Sequence, residues 1–310
     1  MAIEFMRYRP QDLGALRELI CDPSLAGEFD MLLMPGSIEG WLAEPNMDAK
    51  LHWLAWDGGR LAGFAAPFVV PGRHGRFAVI RLGVRGELRR RGIGTELFER
   101  EVEGLAERHG DLVEVCMNAW LPSAAAEGFV ARRGMARART FWLMERPRTP
   151  IADPEWPAGI RLVCDEDPER SYRDFAAAFT DSFAHHYHAY VVTAEDIRAV
   201  ATRPGFRSDS YVLAYRGDTC VGFCRGELLE DRGEIVVVGT TQAARGMGLG
   251  RALLRWGAQW LGREGAPRVT LAVDGENENA LRLYRNEGFE VVRTRAAWAM
   301  TPPFARRGSA

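Results

Sequence analysis

Cysteine, charge imbalance and long apolar runs are all scarce in this chain, and each scarcity removes a class of function. Five cysteines occur in 310 residues (Cys21, Cys116, Cys164, Cys220 and Cys224), with no CxxC pair among them. An odd, scattered set builds neither a disulfide framework nor a zinc site, so reduced thiols and no metal are expected. Lys and Arg total 40 against 42 Asp and Glu, a formal charge of −2. Without a global positive field, neither nucleic acid nor an anionic membrane is an expected partner, and any bound anion must be held locally. The longest apolar runs, such as residues 61–70, fall far short of the roughly 20 residues that span a bilayer. The opening MAIEFMRYRP carries charges where a signal peptide would be apolar, so a cytoplasmic protein is expected, as a monomer or weak homo-oligomer.

What is present is an internal repeat. Residues 54–64 realign on 213–223, an offset of 159 from Leu54 to Leu213, and Leu54, Ala55, Gly58, Gly63 and Phe64 meet identical residues. Both stretches read as β-hairpins about a Gly/Asp turn. Arg89, Arg90, Arg91, Gly92, Ile93 and Gly94 realign on Arg245, Gly246, Met247, Gly248, Leu249 and Gly250, an offset of 156 from Arg89 to Arg245. Each loop follows an apolar strand and precedes a helical pattern. The ends correspond as well, Trp142 with Trp298. The near-constant offset predicts two halves of one topology: residues 1–147, a proline-rich extended linker over 148–157, and 158–310.

In the second half the patterning predicts strands at 160–164, 211–215, 220–227, 234–239, 269–273 and 290–299, with helices at 172–184, 194–201, 250–263 and 278–288. That is a mixed α/β class with a glycine loop at a strand-to-helix junction. Such a loop lets backbone approach a ligand, and the amides at the helix start bind an anion such as pyrophosphate.

The loop RxxGxG of 245–250 is followed by Asn277, Ala280, Leu283, Tyr284, Gly288 and Phe289 in the spacing N-x-x-A-x-x-L-Y-x-x-x-G-F. The two motifs in this order resemble the GNAT superfamily of acetyl-CoA-dependent N-acetyltransferases, and the resemblance covers nearly the whole chain as two tandem copies. The length, the run 233–240, the loop 246–251 and the close near Trp298 look most like members that carry two copies. The family's usual proline after the fourth strand is absent, and Thr241 and Gln242 stand there instead.

The resemblance implies acetyl-CoA as co-substrate, held by Val238, Gly239, Thr240, Arg245, Gly246, Met247, Gly248, Leu249, Gly250, Arg251, Asn277 and Ala280. It implies Tyr284 as the acid that protonates the leaving thiolate and Glu234 as the acceptor of the amine proton. A packed core tyrosine and a solvated strand-start glutamate are the plainer alternatives. The first half keeps Leu82, Gly83, Val84, Arg89, Arg90, Arg91, Gly92, Ile93, Gly94 and Thr95 as a coenzyme-binding set. The repeat alignment places Ala78 opposite Glu234 and Val130 opposite Tyr284, so this half is expected to lack proton transfer.

His185, His186 and His188 fall in the early helical region of the second half. Their spacing cannot place three imidazoles on one helix face, which speaks against a metal. They are either acceptor contacts or surface residues. Cys220 and Cys224 are expected as buried strand thiols. The resulting expectation is transfer to a primary amine of a small molecule, against a non-catalytic acyl-CoA binder or a peptide acetyltransferase; the acceptor's identity is left open.

Overall fold

The computed structural model describes residues 2–26, 38, 42, 46–164, 167–202 and 206–302. Backbone contacts divide the chain into two units, Met1–Thr140 with Thr294–Ala310, and Phe141–Arg293.

In the first unit β1 (Ile3–Arg7) leads to α1 (Leu13–Ile20) and α2 (Pro23–Ala26). The hairpin β2 (Trp53–Asp57) and β3 (Arg60–Gly72) follows, then β4 (Gly75–Val84), α3 (Ile93–Arg108), β5 (Leu112–Leu121) and α4 (Ala124–Ala131). The hairpin turns on Gly58 and Gly59, both at positive φ (56° and 88°), as a two-residue turn between right-twisted strands requires. The strands order as β1-β2-β3-β4-β5. Strands β4 and β5 run parallel, since α3 carries the chain back across the sheet between them. Residues 294–300 then pair antiparallel with β5, from Thr294 opposite Leu121 to Met300 opposite Val115.

Strand β6 (Ala136–Pro147) takes the chain into the second unit. There β7 (Ile160–Val163), α5 (Pro168–Ser182), α6 (Ala194–Ala201), β8 (Tyr211–Arg216), β9 (Thr219–Leu228), β10 (Gly233–Thr240), α7 (Leu249–Arg263), β11 (Arg268–Asp274) and α8 (Glu278–Asn286) repeat the plan, and β12 (Glu290–Met300) ends it. Residues 141–147 of β6 close this second sheet by pairing antiparallel with β11, Phe141 opposite Asp274 and Pro147 opposite Arg268.

Strand pairing and contact grouping cross the line between the two halves at their closing strands. Residues 141–147 belong with the second unit and residues 294–300 with the first, so each sheet is closed by the strand that ends the other half. Periodicity identifies a strand but not its partner. The segment expected as an extended linker is fastened within the second unit. Arg146, buried at 7% exposure, donates to the carbonyls of Thr149, Pro150 and Glu287, and Gln259 donates to Asp153.

Both mixed sheets are split in the same place. The parallel register of β4 with β5 ends at Val79 opposite Cys116, and that of β10 with β11 ends at Ile235 opposite Leu271. Yet β4 stays paired with β3 up to Val84, and β10 with β9 up to Thr240. Past those points each parallel pair diverges into a wedge with the glycine loop at its mouth. Packing under the wedges is apolar: Leu249, Leu253, Leu254 and Leu261 of α7 are all fully buried in the second unit, and Phe98, Val102 and Leu105 of α3 in the first. Among the described residues no helix is long and apolar enough to cross a membrane.

Candidate active site

In the second unit β10 runs into the turn Gln242–Ala244 and then into Arg245, Gly246, Met247 and Gly248, the last being the N-cap of α7. Gly246 and Gly248 hold φ of +79° and +82°, and a Cβ built on either would meet no protein atom within 4 Å. The requirement for glycine is thus conformational, and the space in front of the loop is open. The amides of Leu249 and Gly250 come before the first backbone bonds of α7, which begin at Arg251 and Ala252 on the Gly248 carbonyl, and amides so placed suit an anion. Gln242 fixes the approach: its N–H donates to Asp181 of α5 at 2.8 Å, a bond that a proline at this position could not make. Arg245 reaches the Ser182 carbonyl at 3.3 Å.

The other expected coenzyme residues divide by position. Val238, Gly239 and Thr240 lie on the divergent part of β10, half-buried, with the β11-facing edge outside the parallel register. Gly239 is required sterically, because its Cβ would stand 2.6 Å from the Phe223 ring. Leu249 is fully buried core, while Gly250 packs near Thr240 and Leu283. Met247 packs partly buried against the same core. Arg251 is turned to Glu287, 3.1 Å away, which also binds Arg255 at 2.9 Å. Asn277 is the N-cap of α8 and accepts from the Ala280 N–H at 3.1 Å, a structural bond that orients the helix.

Glu234 lies on β10 two residues before an irregularity between Ile235 and Val237 that turns Val236 outward. Bulges of this kind re-aim side chains beside active sites. Its carboxylate keeps 32% exposure and sits 3.5 Å from the Arg232 guanidinium. Desolvation raises its pKa above the ordinary 4.5, with Arg232 opposing. Tyr284 is 8% exposed in the cluster that holds Ile235, Leu271 and Leu281, its ring centroid 6.2 Å from that of Phe289. Burial pushes its phenol above the ordinary value of 10, so it carries its proton at neutral pH.

The first unit repeats the frame without these groups. Ser123 is the N-cap of α4 and accepts from Ala126, as Asn277 does from Ala280. Val130 (3% exposed) and Ala78 (0%) occupy the positions aligned with Tyr284 and Glu234, both as core. The loop nevertheless borders a cavity of about 210 Å³. Leu82, Gly83, Val84, Arg89, Arg90, Gly92, Ile93, Gly94 and Thr95 line it, together with Ile80, Met117, Phe129, Val130, Arg132 and Trp298. Arg91, expected with them, instead pairs with Asp57 at 3.5 Å. Arg89 donates to the Val84 and Ser24 carbonyls. Arg90 has no hydrogen-bond or ion-pair partner among the described residues and holds a left-handed φ of 66° where the second copy has Gly246.

The three histidines do not form a group. Helix α5 begins at Pro168, capped by Asp167, and ends at Ser182, so all three lie beyond it. His185 Nε2 is 3.5 Å from the Gln242 side-chain nitrogen, His186 meets the Phe183 ring edge-on, and His188 stacks on Tyr187. His185 adjoins the loop turn through Gln242. Burial raises the Cys220 and Cys224 thiols to about 12, which keeps them protonated and unreactive. Asp181, Glu287 and Arg146 were not singled out by sequence reasoning, because their partners lie 61, 32 and 141 residues away.

Comparison with known proteins adds the following. The model of the acetyltransferase (GNAT) family matches residues 15–135 and again 162–289. Mycothiol acetyltransferase of Thermobispora bispora is 37% identical over 248 residues, 76% of this chain and 79% of that protein. The same-named protein of Actinosynnema mirum is 30% identical over 291 residues, 90% and 93% of the two chains. Among solved structures, a GCN5-related N-acetyltransferase from Sphaerobacter thermophilus superposes with a TM-score of 0.73 at 23% identity, covering 99% of this chain and 98% of that one. A tandem GNAT protein from the clavulanic acid biosynthesis pathway gives 0.72 at 20%, covering 97% and 98%. These two likenesses concern the fold.

Proposed function

This chain belongs to the acetyltransferase (GNAT) family and is an N-acetyltransferase with two such domains, and from that premise we propose that its second half transfers acetyl from acetyl-CoA to a primary amine of a small molecule. One observation carries the assignment to that half: the open loop with left-handed Gly246 and Gly248 shares a unit with a desolvated carboxylate and a buried phenol, which the first half replaces by Ala78 and Val130.

In this reading the coenzyme pyrophosphate rests on the amides of 246–250, and the pantetheine arm pairs with the free edge of β10 at Val238 and Gly239. The amine attacks the thioester carbonyl directly. Glu234, its pKa raised toward the working range, takes the amine proton, through water if needed. Tyr284 supplies a proton to the departing thiolate, and burial keeps that proton in place until the thiolate develops. A backbone amide of β10 serves the oxyanion. The names of the relatives favour an acceptor like a mycothiol precursor, and His185, beside the loop turn, is the histidine placed to meet it.

The cavity of the first half supports a second role for that half, coenzyme binding without turnover. A panel of amines, assayed by release of free thiol from acetyl-CoA, tests the main reading. Turnover with a small primary amine is expected; turnover confined to peptide N-termini would overturn the acceptor class, and none with any amine would overturn the enzymatic reading of this half.

A further inference from the structure

The pairing of β9 with β10 sets Glu227 directly opposite Glu234. Opposed residues of an antiparallel pair point their side chains to one face, with Cβ atoms about 5 Å apart. Two like charges so placed cost the sheet stability, and packing alone gives no reason for them. The first half has the same cross-strand position without charge: β3 sets Val69 opposite Ala78, and both are core, at 6% and 0% exposure. The carboxylate at 234 and the one facing it are thus present together in one half and absent together from the other.

Each carboxylate has its own arginine. Glu227 meets Arg225 of its own strand at 3.3 Å, and Glu234 meets Arg232 at 3.5 Å. Arg232 is fixed in the turn between the strands, where its carbonyl accepts from the Leu229 N–H at 2.8 Å and its guanidinium reaches Asp231 at 2.9 Å. On β11 the residue opposite Glu234 is Thr270, buried, its hydroxyl donating to the Gly233 carbonyl at 3.2 Å. From α5, Glu169 pairs with Arg198, Asp174 accepts from Tyr215 and Arg170, Asp181 accepts from the Gln242 N–H, and Arg173 is exposed. Helix α7 packs on the opposite face of β10, against Ile235, and its Arg251 and Arg255 are drawn to Glu287. Burial raises the pKa of Glu234 most; of the charges near it, Arg232 and Arg225 lower it and Glu227 raises it.

We propose that Glu227 is a positioning residue of acetyl transfer, whose charge, facing Glu234 across the two strands, counters the two arginines and keeps Glu234 able to take the amine proton. The inference rests on the reading that Glu234 is the proton acceptor. Without Glu227 the site would hold one carboxylate and two arginines, an arrangement that favours the ionised form and makes a weaker base.

The test reads the carboxyl group itself. Labelled glutamate carboxyls of the intact protein are titrated by NMR, without coenzyme or amine, and the Glu234 signal is identified by its loss in Glu234→Gln. Glu227→Gln should lower the Glu234 midpoint by about half a pH unit to one unit, the scale for like charges about 5–6 Å apart near a surface. Glu227→Asp, which keeps the charge, should restore most of the difference, and Arg225→Gln should move the midpoint upward instead. A merely structural role would not give shifts of opposite sign. The rising limb of kcat/KM, measured with the amine of highest turnover in the panel, should move with the midpoint. An unmoved midpoint in Glu227→Gln would overturn the proposal, and Glu234 would remain the acceptor if Glu234→Gln still abolishes the limb. A midpoint that moves while the limb stays would overturn both, since the limb would then belong to another group. The Glu227 side chain is 49% exposed, so its variants do not depend on core packing to fold.

Discussion

Replacing Arg90 by glycine should make the protein more stable and its first half a poorer anion site. Arg90 holds φ of 66°, and the repeat-related residue in the second half, at 79°, is Gly246. A left-handed conformation costs a residue with a Cβ about 1–2 kcal/mol, while a glycine costs the unfolded chain back about 0.5–1 kcal/mol in entropy. Among the described residues Arg90 has no hydrogen-bond or ion-pair partner to lose, so the net gain is about 0.5–1 kcal/mol. For a unit of this size that is a rise of about 1–4 °C in unfolding midpoint. Binding should move the other way. Losing one charge-assisted hydrogen bond to a phosphate is worth about 1.5–3 kcal/mol, a weakening of roughly ten- to a hundredfold. Calorimetric unfolding gives the first quantity and coenzyme A titration of the first-half event the second. Arg90→Ala separates the causes, since it removes the charge and keeps the strain. A Tm that falls in Arg90→Gly, or a first-half affinity unchanged in both variants, would refute the reasoning that strain is kept there for an anion.

Tyr284→Phe keeps the contact with Phe289 and removes only the phenol proton, so turnover should fall roughly 10²-fold with acetyl-CoA affinity little changed; thiol release within a few-fold of wild type would make Tyr284 a packing residue. Glu234 must be ionised to accept a proton, and burial raises its pKa, so kcat/KM should rise with pH through a limb above 4.5. Glu234→Gln should lower that rate roughly 10²-fold and abolish the limb, and an unchanged profile would assign the base elsewhere. Glu101 of α3 is 0% exposed, neither carboxylate oxygen has a hydrogen-bond partner among the described residues, and burial raises its pKa well above 4.5. The folded state therefore binds this proton more tightly than the unfolded state, and stability is lost as pH rises past 4.5, by up to about 1.4 kcal/mol per pH unit. Glu101→Gln should remove that slope, its advantage in unfolding midpoint growing from near zero at low pH; a constant difference would contradict the burial argument.

The repeat and the strand-to-helix loops were legible because each is written within a few consecutive residues. Gly92 and Gly248 announce a backbone that comes close to a ligand, whereas Asn277, expected beside the coenzyme, caps a helix. The exchange of closing strands was not legible: 141–147 and 294–300 have the same apolar pattern whichever sheet they join, and the choice is made by pairing with β11 or β5. Arg251 shows the same limit for a side chain. Its place in the motif suggests a phosphate, and its guanidinium meets Glu287, which only the fold brings near. Burial of Tyr284 was one of two readings its place in the motif left open. The cavity in the first half was not legible, because its lining comes from separate strands and helices rather than from a motif.

Acetyl transfer is assigned to the second half, and one matched pair of variants separates it from transfer in the first. Gly92 and Gly248 share φ of +82°, and a Cβ at either meets no atom within 4 Å. Valine at either position therefore imposes the same backbone strain, and any difference between the variants reports function rather than folding. Thiol release from acetyl-CoA with an accepted amine should persist within a few-fold in Gly92→Val and be lost in Gly248→Val. Loss in Gly92→Val with turnover preserved in Gly248→Val would place the chemistry in the first half and contradict the account.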